Sequence, residues 1–273
     1  DSLDRTVPEG GRPLVIEKHW YNFALWGRLS FDPTLPDERV QQWLSARHPT
    51  SDPQLLRETL QHATQVMPLI TRFFWGDIDI KWFPEACLSK ARIRGFYSVK
   101  DFVNGESMPG ANVQSIRQWR ERWIRNEKTA ATSPEQIADQ IEASAQTALA
   151  GVVGLRLQAE SDDQLRATLA DCESLAQLGF YYTHKIRGAV HLAKYEITGD
   201  PQSRNNAVEE LKRALAHWTH YATTRNARYV PALYNRVGQV DLEALTSKVA
   251  DDVELARTAT PLSEYAIKEI RGI

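Results

Sequence analysis

From about residue 112 onward the chain is written in helix starts and stops, and this punctuation limits its fold more than any other feature. Ser133-Pro134-Glu135-Gln136 supplies an N-cap serine, a proline at the first helical position and a glutamine able to close a capping box. Ile137, Ile141, Ala145, Ala148 and Val152 follow on one stripe. Ser161-Asp162-Asp163-Gln164 reads as a second box, ahead of Leu165, Leu169, Cys172 and Leu175. The helix pattern continues over 176–197 through Tyr181, Tyr182, Ile186, Val190 and Tyr195. Thr198-Gly199-Asp200-Pro201 is a stop and a restart, with glycine suited to the left-handed end and Asp-Pro to the next beginning. Val208, Leu211, Leu215, Trp218 and Tyr221 line the helix after it, and Leu242, Leu245, Val249, Val253 and Ala256 line a last one. An earlier helix presents Ile116, Trp119, Trp123 and Ile124. Amphipathic helices in series pack as an antiparallel bundle. The expected fold class is therefore mainly α: an antiparallel helical bundle with an irregular, aromatic-rich loop region in the N-terminal third.

That third reads differently. Residues 1–13, with Pro8, Gly10, Gly11 and Pro13, form a linker or arm. The stretch from Val15 to Leu29 is so dense in apolar residues that it is expected to be a buried helix, and Trp20, Tyr21, Phe23 and Trp26 fall within it. Asp32-Pro33 breaks it. Thr34 can cap a helix bearing Pro36, Asp37 and Glu38 in its first turn and Val40, Trp43 and Leu44 on its apolar face. Asp52-Pro53 opens another, through Leu55, Leu56, Leu60, Ala63 and Met67, which Pro68 kinks or ends. In Phe73–Pro84, Asp77, Asp79 and Lys81 alternate with Ile78, Ile80 and Trp82, a strand pattern when taken alone. The surrounding Gly76, Pro84, Gly95, Gly105, Pro109 and Gly110 favour a long irregular loop with short helical turns over 73–110. Long ordered loops in compact domains usually carry function, so a site is sought here. The expected division is 1–33 as linker and junction segment, and 34–273 as helical domain with a loop-rich insert at 73–110.

Composition narrows the function classes. A net charge of −2 gives no reason to expect nucleic acid or an anionic membrane, and no apolar run is long enough to cross one. Cys87 and Cys172 are too few for a zinc site or a disulfide framework and are expected as free buried thiols, with a single long-range bridge as the alternative. No phosphate loop, dinucleotide fingerprint, nucleophile elbow or metal-helix motif is present, so neither cofactor nor metal is expected. Gly151-Val-Val-Gly154 is a helix-packing or helix-ending feature, and His217 with His220 reads as a surface pair. The helix pair around Thr198-Gly199-Asp200 resembles a tetratricopeptide unit, but without a second copy at a period of about 34 residues there is no repeat array. Because the chain starts at Asp1 without Met, it reads as a mature or excised piece, soluble and either periplasmic, secreted or cytoplasmic.

Eight tryptophans suit either a core or a carbohydrate surface, where an indole face packs on sugar C–H groups and polar neighbours take the hydroxyls. The candidate substrate-binding residues are Trp75, Asp77, Asp79, Lys81, Trp82 and Glu85. A solvated loop with Asp–Lys pairing is the bland alternative for the carboxylates, and a core position is the alternative for each tryptophan.

Trp20, Phe23, Gly27, Arg28, Leu29, Asp32 and Pro33 fit approximately the form W-x-x-F-x-x-x-G-R-L-x-x-D-P. In this stretch, and in Trp82–Cys87 with Gly95-Phe96 and Phe102-Val103, the chain resembles the C-terminal helical region of bacterial glycoside hydrolases, most nearly the xylan α-glucuronidases and related multidomain glycosidases. The resemblance implies that the catalytic carboxylates sit on an upstream barrel and that this chain contains none of them. It implies a helical accessory role in polysaccharide degradation: packing on the barrel, and lining the substrate cleft and/or mediating a homodimer. Trp20, Trp26, Arg28 and Asp32 become candidate junction residues. The implied partners are the upstream catalytic barrel and an oligo- or polysaccharide. A free-standing carbohydrate-binding module using Trp75 and Trp82, and a helical scaffold whose aromatics are all core, stand as the alternatives.

Overall fold

In a computed structural model, residues 15–75, 82–89, 95–234 and 237–271 are described. Helix α8 (Asp163–Thr198), 36 residues long, is the axis on which the other elements pack. Its N-cap is Asp162 and not Ser161: the Asp162 carboxylate, on extended backbone, accepts the Leu165 N–H at 2.9 Å. Gly199 ends it at φ 66, with its N–H returned to the Tyr195 carbonyl at 2.8 Å. Asp200 then caps α9 (Pro201–Arg228) by accepting the Gln202 and Ser203 N–H groups.

Helix α7 (Pro134–Leu155) carries the expected Ser133–Gln136 capping box and lies along α8. Helix α4 (Pro53–Phe73) crosses α7 so closely that a Cβ at Gly151 would collide with the Thr59 hydroxyl. Pro68 does not end this helix. It forfeits one backbone N–H but sits inside α4, because Leu69, Ile70 and Phe73 beyond it are buried and hold the last turn in place.

Two apolar clusters form the interior. The larger joins Ile70, Phe73, Trp82, Tyr97, Phe102, Tyr181, Tyr182, Leu211 and Trp218 around the middle and end of α8. The smaller joins Val40, Leu44, Leu56, Ala148, Val152, Leu165 and Leu169 at the start of α8. Within the described part of 73–110 the backbone is irregular, as expected. It holds a 3-10 turn over Pro84–Ala86, bridges from Leu88 to Phe83 and to Phe96, and a short helix α5 (Val99–Asn104). Helix α6 (Ile116–Arg125) follows, capped by Ser115 and Gln118. After α9 come a two-stranded hairpin, β1 (Ala232–Tyr234) and β2 (Gly238–Val240), then α10 (Thr246–Arg257) and α11 (Glu264–Arg271). Among the described residues no helix is long and apolar enough to cross a membrane.

The N-terminal expectation needs correction. Residues 15–31 form not one buried helix but α1 (Val15–Lys18) and α2 (Trp20–Phe31), and α2 buries no residue fully. One face of it, with Trp20, Tyr21 and Leu25, packs partly on the smaller cluster beside α3 (Asp37–Arg47). Thr34 does not cap α3, whose N-cap position is Pro36; the Thr34 hydroxyl and N–H instead donate to Asp32, at 2.6 and 2.9 Å.

Candidate functional site

Asp77, Asp79 and Lys81, and with them the expected strand apart from Trp82, lie outside the described residues. Trp75 is half-buried at the loop entrance, its N–H donated to the Glu106 carbonyl at 2.9 Å. Trp82 is a correction. Its ring is 3% exposed and packed edge-on against Phe74 and Tyr97, at centroid distances of 5.2 and 5.1 Å, so it offers no outward face to a sugar. Alternating polar and apolar residues around it could not reveal this, because the cluster that encloses it comes from elsewhere in the loop and from α4.

Glu85 is the described candidate that stays in contention. It sits half-buried in the 3-10 turn that follows Phe83. Burial pushes its carboxyl above the usual range, against the opposing pull of the Arg225 guanidinium. The Tyr182 hydroxyl, on α8, donates to the Pro84 carbonyl and fixes the turn. Beside it the Phe83 ring meets Tyr234 of β1 at 4.6 Å, and Arg225 Nη2 lies 3.4 Å from the Tyr234 hydroxyl. Phe83, Glu85, Arg225 and Tyr234 are all half-buried. Together they make an aromatic shelf with one carboxylate and one guanidinium at its edge, the chemistry that grips a sugar ring and its hydroxyls. Arg225 and Tyr234 were missed from the sequence. They stand far from Glu85 along the chain, and the only local signal was an aromatic hairpin directly after a basic helix end.

Other shifted carboxylates are structural. Burial raises Glu196 and Asp252, but Glu196 pairs with Arg120 at 3.1 Å and Asp252 with Lys185 at 2.7 Å. The histidine reading is also corrected. His217 is no surface residue: it is half-buried, stacked on His184 at 5.4 Å, and bonded to Gln177 at 2.8 Å. His184 in turn meets Glu210 at 2.7 Å, a carboxylate about two turns before His217 along α9. No group of three or more His, Cys, Asp or Glu placed to hold a metal occurs among the described residues.

The four junction candidates take different parts. Trp20 is half-buried near His48, and Arg47 lies 5.8 Å from its ring centre. Arg28 leans over Trp43 at 5.9 Å, and Asp32 closes the turn by accepting from Thr34. Trp26 projects outward, 78% exposed. Lys18, just before α2, lies over the Tyr229 ring at 4.1 Å, and Arg225 lies over the same ring at 4.3 Å. A short relay of contacts thus runs from the start of α2 through Tyr229, Arg225 and Tyr234 to Phe83.

The mainly α bundle has a counterpart of the same fold among solved structures. One such structure is that of a GH138 enzyme targeting pectin rhamnogalacturonan II, which this chain matches with a TM-score of 0.77 over 98% of its own length. The TM-score establishes a shared fold at an identity of only 14%, and the matched region is 40% of that chain, so this protein spans less than half of its neighbour. The likeness is one of fold, and it is to a GH138 enzyme and not to the xylan α-glucuronidases that residues 20–33 resemble. No family model matches the chain, and no curated protein matches it in sequence.

Proposed function

We propose that this chain is a helical accessory region of a polysaccharide-degrading glycoside hydrolase, lining the substrate cleft with the Phe83–Glu85 shelf while the catalytic acids lie on another part of the enzyme. The observation that carries this reading is the fold shared with the GH138 enzyme across nearly the whole chain, at only part of that enzyme's length. The chemistry of the shelf fits it: a single carboxylate beside a guanidinium and two rings suits hydroxyl binding, whereas hydrolysis needs an acid and a second carboxylate about 5–10 Å apart across the scissile bond. Glu85 accepts sugar hydroxyls, Arg225 orients them, and Phe83 and Tyr234 pack on the ring faces.

An antibody raised against this chain should detect, in the source cells, a protein well above 31.0 kDa. That protein should cleave a plant or microbial oligosaccharide that the 273-residue chain alone leaves intact. A native product no larger than the chain, or cleavage by the chain alone that disappears in Glu85→Gln, overturns the proposal.

A further inference from the structure

Helix α2 is apolar on two faces but covered on one. Phe23, Trp26 and Leu29 share its outer side, Phe31 stands at its end and Ile16 precedes it in α1, at 55, 78, 40, 90 and 56% exposure. From Trp20 to Phe31 the sole charged residue is Arg28, and that side chain leans over Trp43. A surface helix carries polar residues outward, and one apolar on both sides is built to be covered on both. Phe23, Trp26 and Phe31 alone leave on the order of 400–500 Å² of aromatic surface in water, at the upper end of what a monomer exposes without using it.

The uncovered surface is concentrated. Among the described residues, seven of the ten large exposed apolar side chains lie at one end of the bundle, because Val153 and Leu157 join the five of α1–α2 there. Side-chain hydrogen bonds tie that end together: Gln158 Oε1 accepts the Asp52 N–H at 2.6 Å, and Gln164 donates to the Glu17 carbonyl at 2.9 Å. A charge-poor aromatic centre is the signature of an interface core. Arg28 is the single basic residue of α2 and leans over Trp43, where a helix lying on an anionic bilayer would carry a row of Lys and Arg.

We infer that the outer face of α2 seats a second folded body of the same polypeptide, the catalytic part of the enzyme, with Trp26 as its central anchor. This rests on the accessory-region reading above, and the length of the GH138 enzyme beyond the matched region supplies a body of the required size. The Lys18–Tyr229–Arg225–Tyr234–Phe83 contacts connect the start of α2 with the Glu85 shelf.

Hydroxyl-radical footprinting of the longer native protein and of the 273-residue chain tests the inference. Phe23, Trp26 and Phe31 should oxidise readily in the chain alone and be protected about tenfold or more in the longer protein, as in an interface core. Trp26→Asp in the longer protein should unmask Phe23 and Phe31, yet leave the melting temperature of the isolated chain unchanged. Equal oxidation in both proteins overturns the docking face alone and leaves the accessory-region reading standing. Absence of any longer native protein defeats both. Protection that appears in the isolated chain as its concentration rises assigns the face to a second copy, and protection on adding anionic vesicles assigns it to a membrane; either result overturns the inference.

Discussion

The middle of α8 and the whole of α2 reverse the usual placement of polarity, one by hiding charge and the other by showing aromatics. Lys185 is fully enclosed, and its ammonium donates to the Asp252 carboxylate at 2.7 Å, the Tyr97 carbonyl at 2.7 Å and the Tyr181 hydroxyl at 3.1 Å. Asp252 completes its own shell by accepting the Val99 N–H at 2.7 Å, and the rings of Phe96 and Phe102 flank the ammonium at 4.5 and 5.0 Å. Every anomaly there is answered inside the chain, and the pair pins α10 and the loop before α5 to α8. Nothing within the described chain answers the outer face of α2. A buried charge with a full set of partners is structure, whereas an aromatic face without cover points to something beyond the chain.

Substitutions can break or sharpen this contrast. Lys185→Met leaves the Asp252 carboxylate buried without its cation and should cost about 3–5 kcal/mol, read from urea unfolding; adding Asp252→Leu should recover part of it. A cost near zero for Lys185→Met would end the distinction. Trp218, fully buried against Tyr181 and Tyr221, offers the direct comparison with Trp26. Trp218→Ala should cost about 3–5 kcal/mol by leaving a cavity. Gly151→Ala, which forces a methyl onto Thr59 at the α4–α7 crossing, should cost about 1–3 kcal/mol, measured in the same way. A smaller effect comes from His217, which burial, together with the neighbouring His184 and His220, holds down at about 4 against its ordinary 6.5. The unfolded chain binds a proton there near pH 6.5 and the folded chain only near pH 4. Its contribution is therefore complete above pH 6.5 and is lost as the pH falls toward 4; thermal melts of His217→Gln should show a flatter acid limb than the parent. Smallest of all, Trp26→Ala should change the stability of the isolated chain by no more than about 0.5 kcal/mol, and a loss like that of Trp218→Ala would place Trp26 in a core of this chain.

Much of the helical frame was legible in local sequence, because caps act over three or four residues. Ser133 with Gln136, and Gly199 with Asp200, do in space what their spacing announced. Errors arose where a distant partner decided the outcome. Trp82 and Asp77 stood in one alternating run, yet enclosure by Phe74 and Tyr97 turned Trp82 inward. Pro68 stayed helical because the residues after it are buried. Periodicity failed for α2 for another reason: an apolar residue at almost every turn position says that the helix will be covered and leaves open what will cover it. The shelf was half visible, since Glu85 was a candidate from its loop while Arg225 and Tyr234 reach it only through the packing of α9 and the hairpin.

The two thiols divide the molecule as its cores do. Cys87 sits in the larger cluster and Cys172 in the smaller, both free and both buried. Burial pushes both upward, Cys172 to about 12, so neither forms much of the reactive thiolate while the fold is closed. Each cysteine is consequently a built-in clock for its own half. The rate at which an alkylating reagent marks Cys172 times the opening of the end that carries α2, and the rate at Cys87 times the opening of the loop end. When the seat on α2 is filled, the first clock should slow more than the second.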